Sequence, residues 1–286
     1  MPLIEDTLFG KVDKVQTAID RIRSFDPTGY TDNPYYVAYS GGKDSDCIRI
    51  LCELAGVKHE LYHNHTTVDA PETVYYIRSI PNVKIEYPQL SMWKLIVKKK
   101  FPPLRIARYC CSELKERGGQ GRVVMAGVRW EESVSRKNNR GVAEYLTTNK
   151  NKNLILNNDN DDSRRLFENC TVKGKRIINP IIDWTEGDVW EFLHSYGCES
   201  NPLYKCGYTR VGCIGCPMVV KRKREESFER YPTYKQAYIR AFDKMLLARD
   251  EVTNWKTGQD VFDWWINEKA VYREDINIQQ SLYEES

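Results

Sequence analysis

The chain has no apolar run long enough to cross a bilayer, and residues 1–6 lack the basic-then-apolar layout of a secretory signal. These two absences predict a cytoplasmic protein that does not enter a membrane. There is also little net charge: +3 over 286 residues, which does not by itself argue for a nucleic-acid partner. No internal repeat is visible, so repeat architectures are excluded.

Cysteine, by contrast, is well represented, with nine residues. Thiols stay reduced in the cytoplasm, so this number favours metal or redox chemistry over a disulfide scaffold. Residues 149–163 are rich in asparagine and aspartate and predict a surface loop or a disordered insertion.

A glycine-rich loop at residues 40–45 is the most informative segment. It follows an apolar run, Tyr35–Ala38, that predicts a buried strand, and it precedes an amphipathic helical pattern. Strand, glycine turn and helix together place backbone N–H groups around an anion. The loop supplies Ser40, Gly41, Gly42, Lys43, Asp44 and Ser45. The Walker spacing is absent, so this is a phosphate loop of another type, or an ordinary glycine turn capped by serine.

Alternating strand and helix patterns predict an α/β fold with a doubly wound parallel sheet and a C-terminal helical appendage. Further strands are expected at 60–63, 83–86, 123–127 and 177–178. A leading helix is expected from helical spacing, with Asp6 or Thr7 as its N-cap; its apolar positions are Leu8, Val12, Val15, Ile19 and Ile22. The predicted domains are an N-terminal helix (1–29), a nucleotide-binding domain with a four-cysteine site (30–217) and a helical region (218–286).

Two cysteine pairs form a second constellation. Cys110 and Cys111 are adjacent, and Cys213 and Cys216 form a Cys-x-x-Cys pair whose thiolates can point the same way from a tight turn. This pattern predicts a four-thiolate metal site, with an iron–sulfur cluster ahead of zinc because a cubane offers a separate iron to each neighbouring thiolate. Cys206 is either a fifth, sulfur-carrying thiol or a packing residue. Cys47 and Cys52 are expected to be buried, whereas Cys170 and Cys198 are ambiguous.

Several segments resemble the phosphoadenosine phosphosulfate (PAPS) reductase group of adenine-nucleotide α-hydrolases. They occur in the family's order, and their positions are 40–45, 64–73, 108–115, 126–133, 179–190, 201–204 and 212–216. The resemblance implies that a nucleotide lies across the loop and that Cys110, Cys111, Cys213 and Cys216 hold a 4Fe–4S cluster. It also implies phosphate or substrate contacts for Arg129 and Lys115, with Arg136 as a weaker candidate.

Two departures separate this chain from the reductases that it resembles. Those enzymes carry a nucleophilic cysteine in a C-terminal segment, whereas residues 217–286 contain no cysteine, and their phosphate loop is usually degenerate, whereas this one is intact. We therefore predict an ATP pyrophosphatase that adenylylates an acceptor for sulfur transfer. The pattern is similar to the ATP pyrophosphatase of DNA phosphorothioation.

That interpretation assigns catalytic work to Lys43, Arg129 and Lys115, with Asp44 as a Mg²⁺ partner or turn cap. The expected partners are ATP, DNA and a cysteine desulfurase or another sulfur donor. The run Lys221–Arg224 either follows a DNA backbone or begins a solvated helix paired with Glu225 and Glu226.

Other functions remain open at this point. A PAPS or adenylyl-sulfate reductase would need its nucleophile from Cys206 or from a partner. An ATP sulfurylase-like nucleotidyltransferase would keep the loop but have no use for the cluster. A tRNA-base thiolase is a related variant, and a non-catalytic nucleotide or redox sensor would not need the pyrophosphate site.

Overall fold

The computed structural model describes residues 2–8, 10–29, 31, 33–147, 153–157, 174–249 and 253–267. The chain divides into two compact units. The first comprises Met1–His65, Pro71–Tyr87 and Arg117–Val211, and the second comprises Thr66–Ala70, Pro88–Glu116 and Gly212–Ser286. The domain boundaries at 29/30 and 217/218 stay a prediction; the structure adds that residues 66–70 and 88–116 group with the C-terminal helices.

Numbered along the chain, the described α-helices are α1 (Lys14–Ser24), α2 (Lys43–Ala55), α3 (Pro71–Ser79), α4 (Met92–Lys99), α5 (Tyr109–Leu114), α6 (Val134–Asn139), α7 (Glu186–Ser195), α8 (Lys221–Arg230), α9 (Pro232–Leu247) and α10 (Gly258–Asn267). Short 3₁₀ segments occupy Pro27–Gly29, Trp130–Glu132 and Pro202–Cys206. None of these helices is long and apolar enough to span a bilayer.

The first unit begins with a hairpin, which corrects the predicted leading helix. Strands β1 (Ile4–Thr7) and β2 (Gly10–Asp13) pair antiparallel, and α1 starts only afterwards, with the Asp13 carboxylate accepting from the backbone N–H groups of Val15 and Gln16. Leu8 is fully exposed in the turn, where Gly10 has a φ of +117°. The prediction was wrong over the first turns because apolar residues four apart also suit an alternating strand.

The first unit also contains a seven-stranded sheet in the order β5-β4-β3-β6-β9-β7-β8. Its strands are β3 (Tyr35–Ala38), β4 (His59–Asn64), β5 (Val83–Glu86), β6 (Val123–Met125), β7 (Ala143–Thr147), β8 (Leu154–Leu156) and β9 (Gly174–Ile178). The five strands β5, β4, β3, β6 and β9 run parallel, whereas β7 and β8 are antiparallel additions. The predicted α/β class with a parallel, doubly wound sheet is confirmed.

Strand β8 corrects the prediction of a structureless 149–163 segment. Leu154–Leu156 pairs with β7, so the described part of that segment extends the sheet. Residues 149–152 and 158–163 lie outside the described residues, as does Cys170.

The core of the first unit lies between the sheet and the apolar faces of α1, α2 and α7. Ile22, Ile48, Val37 and Phe192 are each fully buried there. Cys47 and Cys52 are also fully buried in α2, as their positions on its apolar face predict. The sheet order reverses at β3, since β4 and β5 lie on one side of it and β6 and β9 on the other. A switch of this kind opens a crevice at the strand's carboxyl end, where the phosphate loop begins.

The second unit is helical in its described part and has an aromatic core. Tyr238 lies 4.9 Å and Phe242 5.4 Å from Trp265, measured between ring centroids. The indole N–H of Trp265 donates to the carbonyl of Pro103 at 2.7 Å, which anchors α10 to the segment before α5. Tyr238, Phe242 and Trp265 are therefore core residues of this unit. Residues 268–286 lie outside the described part of the chain.

Candidate functional site

The phosphate loop joins β3 to α2, and its conformation is fixed by hydrogen bonds within the first unit. The Ser45 hydroxyl accepts from the Gly42 N–H at 3.1 Å and donates to the Gly42 carbonyl at 2.7 Å. The side-chain amide of Asn201 donates to the Gly41 carbonyl at 3.0 Å. Helix α2 begins directly at the loop, so the positive end of its dipole faces an anion bound there.

Gly41 is required by both conformation and space. Its φ is +71°, and a Cβ there would lie 2.8 Å from Cγ1 of Ile77. We expect Gly41→Ala to lower the free energy of unfolding by more than the roughly 1–2 kcal/mol that a positive φ costs, and to weaken nucleotide binding. Gly56→Ala is the matched control, because Gly56 has a φ of +70° but open space around it. Chemical denaturation should show a larger loss in the free energy of unfolding for Gly41→Ala than for Gly56→Ala. Equal losses would contradict the expected clash between a Cβ at residue 41 and Ile77.

Lys43 is held in place by the 3₁₀ segment Pro202–Cys206 and by the residues that follow it. Its backbone N–H donates to the Tyr204 hydroxyl at 2.9 Å, and its ammonium group donates to the Thr209 carbonyl at 3.1 Å. The ammonium group also lies 3.7 Å from a Glu186 carboxylate oxygen and 5.4 Å from the centre of the Tyr204 ring. Lys43 is only 4% exposed, so its charge is confined to the loop.

Arg129 meets the loop from the end of β6. Its Nε donates to Asp44 Oδ1 at 2.7 Å, and a terminal nitrogen donates to Glu131 at 2.8 Å. Because Arg129 is 2% exposed and twice paired, its guanidinium is fixed rather than solvated. The structure therefore brings together Ser40, Gly41, Gly42, Lys43, Asp44, Ser45 and Arg129, all in the first unit. Their roles in binding and catalysis stay predictions.

The guanidinium group of Arg136 interacts with those of Arg210, Arg140 and Arg129. Burial and the like charges of Arg210 and Arg140 lower the pKa of Arg136 to about 10, although Asp44 partly offsets them. Arg136 itself forms an ion pair with Glu132. A site in which positive charges crowd one another in this way gains free energy when an anion enters.

Asp46 is a buried group beside the loop that the sequence analysis did not single out. Its carboxylate accepts from the Tyr39 hydroxyl at 2.5 Å and from the Tyr76 hydroxyl at 3.0 Å, and it is fully buried. Burial raises its pKa to about 6 despite these two hydrogen bonds. Tyr204 and Asn201 lie in a segment that carries the family resemblance. Their contacts with the loop span some 160 residues, so no local pattern predicts them.

The raised pKa of Asp46 makes stability depend on pH. The folded state binds this proton more tightly than the unfolded chain, so the contribution is complete below about pH 4 and is lost as the pH rises through about 6. The free energy of unfolding should therefore decline between pH 4 and pH 7. We expect this decline to be smaller in Asp46→Asn by up to roughly 3 kcal/mol. Urea unfolding in EDTA at pH 4 and pH 7 measures it, with the exposed Asp20→Asn as control. A decline equal to the wild type's would contradict the assignment.

The four predicted metal ligands converge within the second unit. Cys110 is the second residue of α5 and is 9% exposed, and its charge interacts with those of Cys213 and Cys216. A hydrogen bond from Cys110 and the nearby Lys115 and Arg108 lower the pKa of Cys111 to about 6, against the effect of its burial. That hydrogen bond and burial raise the pKa of Cys110. The pair therefore favours a thiol at Cys110 beside a thiolate at Cys111.

Backbone pairing positions Cys213 and Cys216. Residues Asp69 and Cys213 form a β-bridge, and the Ile214 N–H donates to the Val68 carbonyl at 2.8 Å. The Cys216 N–H donates to the Cys213 carbonyl at 3.3 Å, which closes the tight turn. The Cys213 sulfur lies 3.4 Å from the Thr66 hydroxyl. Strand pairing and a turn, rather than chance proximity, therefore direct these thiols.

Lys115 belongs to this cysteine site in the structure. The negative charge of Cys213 is the largest cause that raises the Lys115 pKa, with Asp69 and Cys216 adding to it and burial opposing it. Its predicted contact with phosphate or substrate stays a prediction. In the second unit it supplies a cation that offsets the charge of several thiolates.

The spacing of the sulfurs bears on which metal they suit. Among the described residues, no three cysteine sulfurs lie within 4.8 Å of one another. Four thiolates on one zinc ion would stand about 3.8 Å apart, given a Zn–S distance of about 2.3 Å. A cubane cluster takes each thiolate at a separate iron and accepts a wider set. A donor set of four thiolates is compatible with a 4Fe–4S cluster, and the metal that it holds stays a prediction.

Two other predicted features have a definite place. Cys206 ends a 3₁₀ turn in the first unit and is exposed. In the basic run, Lys221 pairs with Glu225, Arg222 and Lys223 pair with Glu226, and Arg224 is buried with its guanidinium 4.3 Å from the Trp265 ring. This pattern agrees with a helix start whose cations pair with Glu225 and Glu226, one of the two alternatives for that run.

Comparison with known proteins agrees with the family resemblance. The chain is 28% identical over 144 residues to an uncharacterized 37.8 kDa protein of Escherichia phage 186, which covers 50% of this chain and 38% of that protein. It is 37% identical over 54 residues to adenosine 5′-phosphosulfate reductase of Burkholderia cepacia, which covers 19% of this chain and 22% of the enzyme. The chain thus matches well under two thirds of the length of these relatives.

A solved PAPS reductase from Candida auris, in a phosphate complex, superposes with a TM-score of 0.44 at 17% identity, covering 68% of this chain and 93% of that one. The profile of the phosphoadenosine phosphosulfate reductase domain matches residues 34–219, which include β3, the phosphate loop and all four cysteines of the second site. The chain therefore belongs to the PAPS reductase family and carries that family's nucleotide-binding domain.

Proposed function

We propose that this protein is an ATP pyrophosphatase that adenylylates an acceptor for sulfur transfer. The observation that carries the proposal is the intact loop with Lys43 held at its mouth and Arg129 locked onto Asp44. This arrangement suits the stabilisation of a leaving pyrophosphate, and a degenerate loop would not need it. ATP is the substrate in this proposal.

In the adenylylation step, an acceptor oxygen forms a bond to the α-phosphorus of ATP. The bond from the α-phosphorus to the α,β-bridging oxygen breaks, and its electron pair leaves with pyrophosphate. Negative charge grows on that leaving group, where the loop N–H groups and the Lys43 ammonium stabilise it. Asp44 would hold Mg²⁺, which supplies further charge neutralisation when bound.

In the following step, a sulfide-level sulfur nucleophile displaces AMP from the adenylylated acceptor. The bond to the activated oxygen breaks and a bond to sulfur forms, with no net change of oxidation state. We propose that Cys110, Cys111, Cys213 and Cys216 hold a 4Fe–4S cluster, with zinc as the alternative. Such a cluster supplies sulfur-binding or redox chemistry when present. Lys115 and Thr66 would stabilise the charge of its ligands.

The most specific form of the proposal is DNA phosphorothioation, in which the acceptor is a backbone phosphate and the partner is a cysteine desulfurase or another sulfur donor. It rests on the combination of an intact loop with both cysteine pairs. The second candidate is a PAPS or adenylyl-sulfate reductase, favoured by the family itself and by the reductase relative from Burkholderia cepacia.

Product analysis on anaerobically purified protein separates the candidates. With ATP, Mg²⁺ and DNA, pyrophosphate release supports adenylylation. Sulfite release from PAPS or adenylyl sulfate in the presence of a thiol reductant would instead establish the reductase. Exchange of pyrophosphate into ATP with sulfate as acceptor would indicate a sulfurylase-like enzyme, and nucleotide binding without any product would indicate a sensor.

A further inference from the structure

Arg210 stands out among the cations around the phosphate loop. One neighbour in the chain contacts the loop and the other lies beside it. The Thr209 carbonyl accepts from the Lys43 ammonium at 3.1 Å, and the Val211 Cβ lies 3.9 Å from where a Cβ on Gly42 would stand. The segment that carries Arg210 is therefore fixed against the loop. The side chain of Arg210 is itself exposed.

Each neighbouring arginine already has an acidic partner. Arg129 binds Asp44, Arg136 pairs with Glu132, and Arg140 binds Glu144 at 2.7 Å. Within the part of the chain that the structure describes, Arg210 has no such partner. Its charge instead acts on Arg136, where it adds to burial in lowering the pKa. Arg210, whose segment is fixed against the loop, therefore has its guanidinium available to an anion.

The surroundings are open and rich in donors. Lys137 and Asn138 on α6 are exposed beside the half-buried Arg136, and Val134 is 76% exposed. Lys43 and Arg129, by contrast, are buried at the loop. A guanidinium fork matches the two free oxygens of a phosphodiester. In the basic run at 221–224, by contrast, the first three cations pair with Glu225 and Glu226, and Arg224 is buried.

We propose that Arg210 binds a backbone phosphate of a nucleic-acid acceptor beside the phosphate loop. This inference rests on the proposed adenylylation and gives its acceptor a docking residue. The loop holds the pyrophosphate that leaves, and Arg210 positions the phosphodiester that is activated. Arg210 is therefore a residue of the acceptor site, distinct from those that hold the phosphates of ATP.

The test uses the full-length protein and a short fluorescein-labelled DNA oligonucleotide, with fluorescence anisotropy as readout. We expect Arg210→Ala to weaken DNA binding about tenfold and to reduce the slope of log K against log salt by about one. Affinity for a non-hydrolysable ATP analogue with Mg²⁺ should stay unchanged. Arg222→Ala is the control, because Arg222 is 82% exposed and paired with Glu226, and it should change neither affinity.

Three outcomes would overturn the inference. An equal loss of ATP-analogue affinity would place Arg210 in the nucleotide site. Unchanged DNA affinity in Arg210→Ala would remove it from the acceptor site. A wild-type protein that binds the ATP analogue but no DNA would reject this acceptor while leaving adenylylation intact. An RNA oligonucleotide of the same sequence distinguishes the two sources of phosphodiester: DNA phosphorothioation predicts tighter binding of DNA.

Discussion

Replacing Lys43 by alanine is expected to lower nucleotide turnover by about 10²- to 10³-fold, the usual effect of removing a group that stabilises charge in the transition state. Lys43 is only 4% exposed and its ammonium group donates to the Thr209 carbonyl, so its charge is fixed at the loop. Pyrophosphate release measured under single-turnover conditions gives the change directly.

Folding has to be separated from chemistry in this variant, because Lys43 is buried against Tyr204. Lys43→Met keeps most of the side-chain stem and removes the charge, so it should retain the wild-type melting temperature and lose turnover to the same degree. Lys58→Ala, an exposed lysine before β4, is the control for loss of a positive charge. Turnover within twofold of wild type in both Lys43 variants would end the assignment of residues 40–45 as the pyrophosphate site.

The second large effect is expected at the cysteines. Substitution of Cys110, Cys111, Cys213 or Cys216 by serine should each remove most of the iron and the brown colour of anaerobically purified protein. Serine replaces a thiolate by a poor ligand for iron, and the remaining three cysteines do not complete the cubane's ligand set. Iron and acid-labile sulfide analysis measures the loss, with about four of each expected in wild type.

Cys206→Ser is the matched control for that series, because Cys206 is exposed and belongs to the first unit. It should keep full iron content. If one of the four variants retained full iron, the cysteine replaced in it would not be a ligand of the cluster. Zinc without iron in the wild-type protein would show that the site holds zinc and not a cluster.

The sequence could predict features that depend on neighbouring residues. The strand Tyr35–Ala38 and the helix after the glycine turn follow from a local apolar pattern, and α2 begins at Lys43 as that pattern implies. The hairpin before α1 was missed because Leu8 and Val12 fit helical and alternating spacing equally well. Strand β8 was missed because its asparagine- and aspartate-rich flanks hide three apolar residues.

Long-range contacts set the rest of the site and leave no local signal. The Tyr204 hydroxyl that accepts from the Lys43 N–H lies 161 residues away, and Asp46 meets Tyr76 across 30 residues. The placement of Lys115 is of the same kind. Its position after Cys110 and Cys111 indicates a shared segment, but only the pairing of Asp69 with Cys213 brings the second cysteine pair to it.

The central claim is that the loop is built for ATP rather than for a sulfonucleotide. A competition experiment on anaerobically purified protein tests it most directly, with a non-hydrolysable ATP analogue and Mg²⁺ competing against PAPS. Our account predicts that the ATP analogue binds more tightly and that Lys43→Met loses this preference. Tighter binding of PAPS by the wild-type protein would contradict the account and favour the reductase.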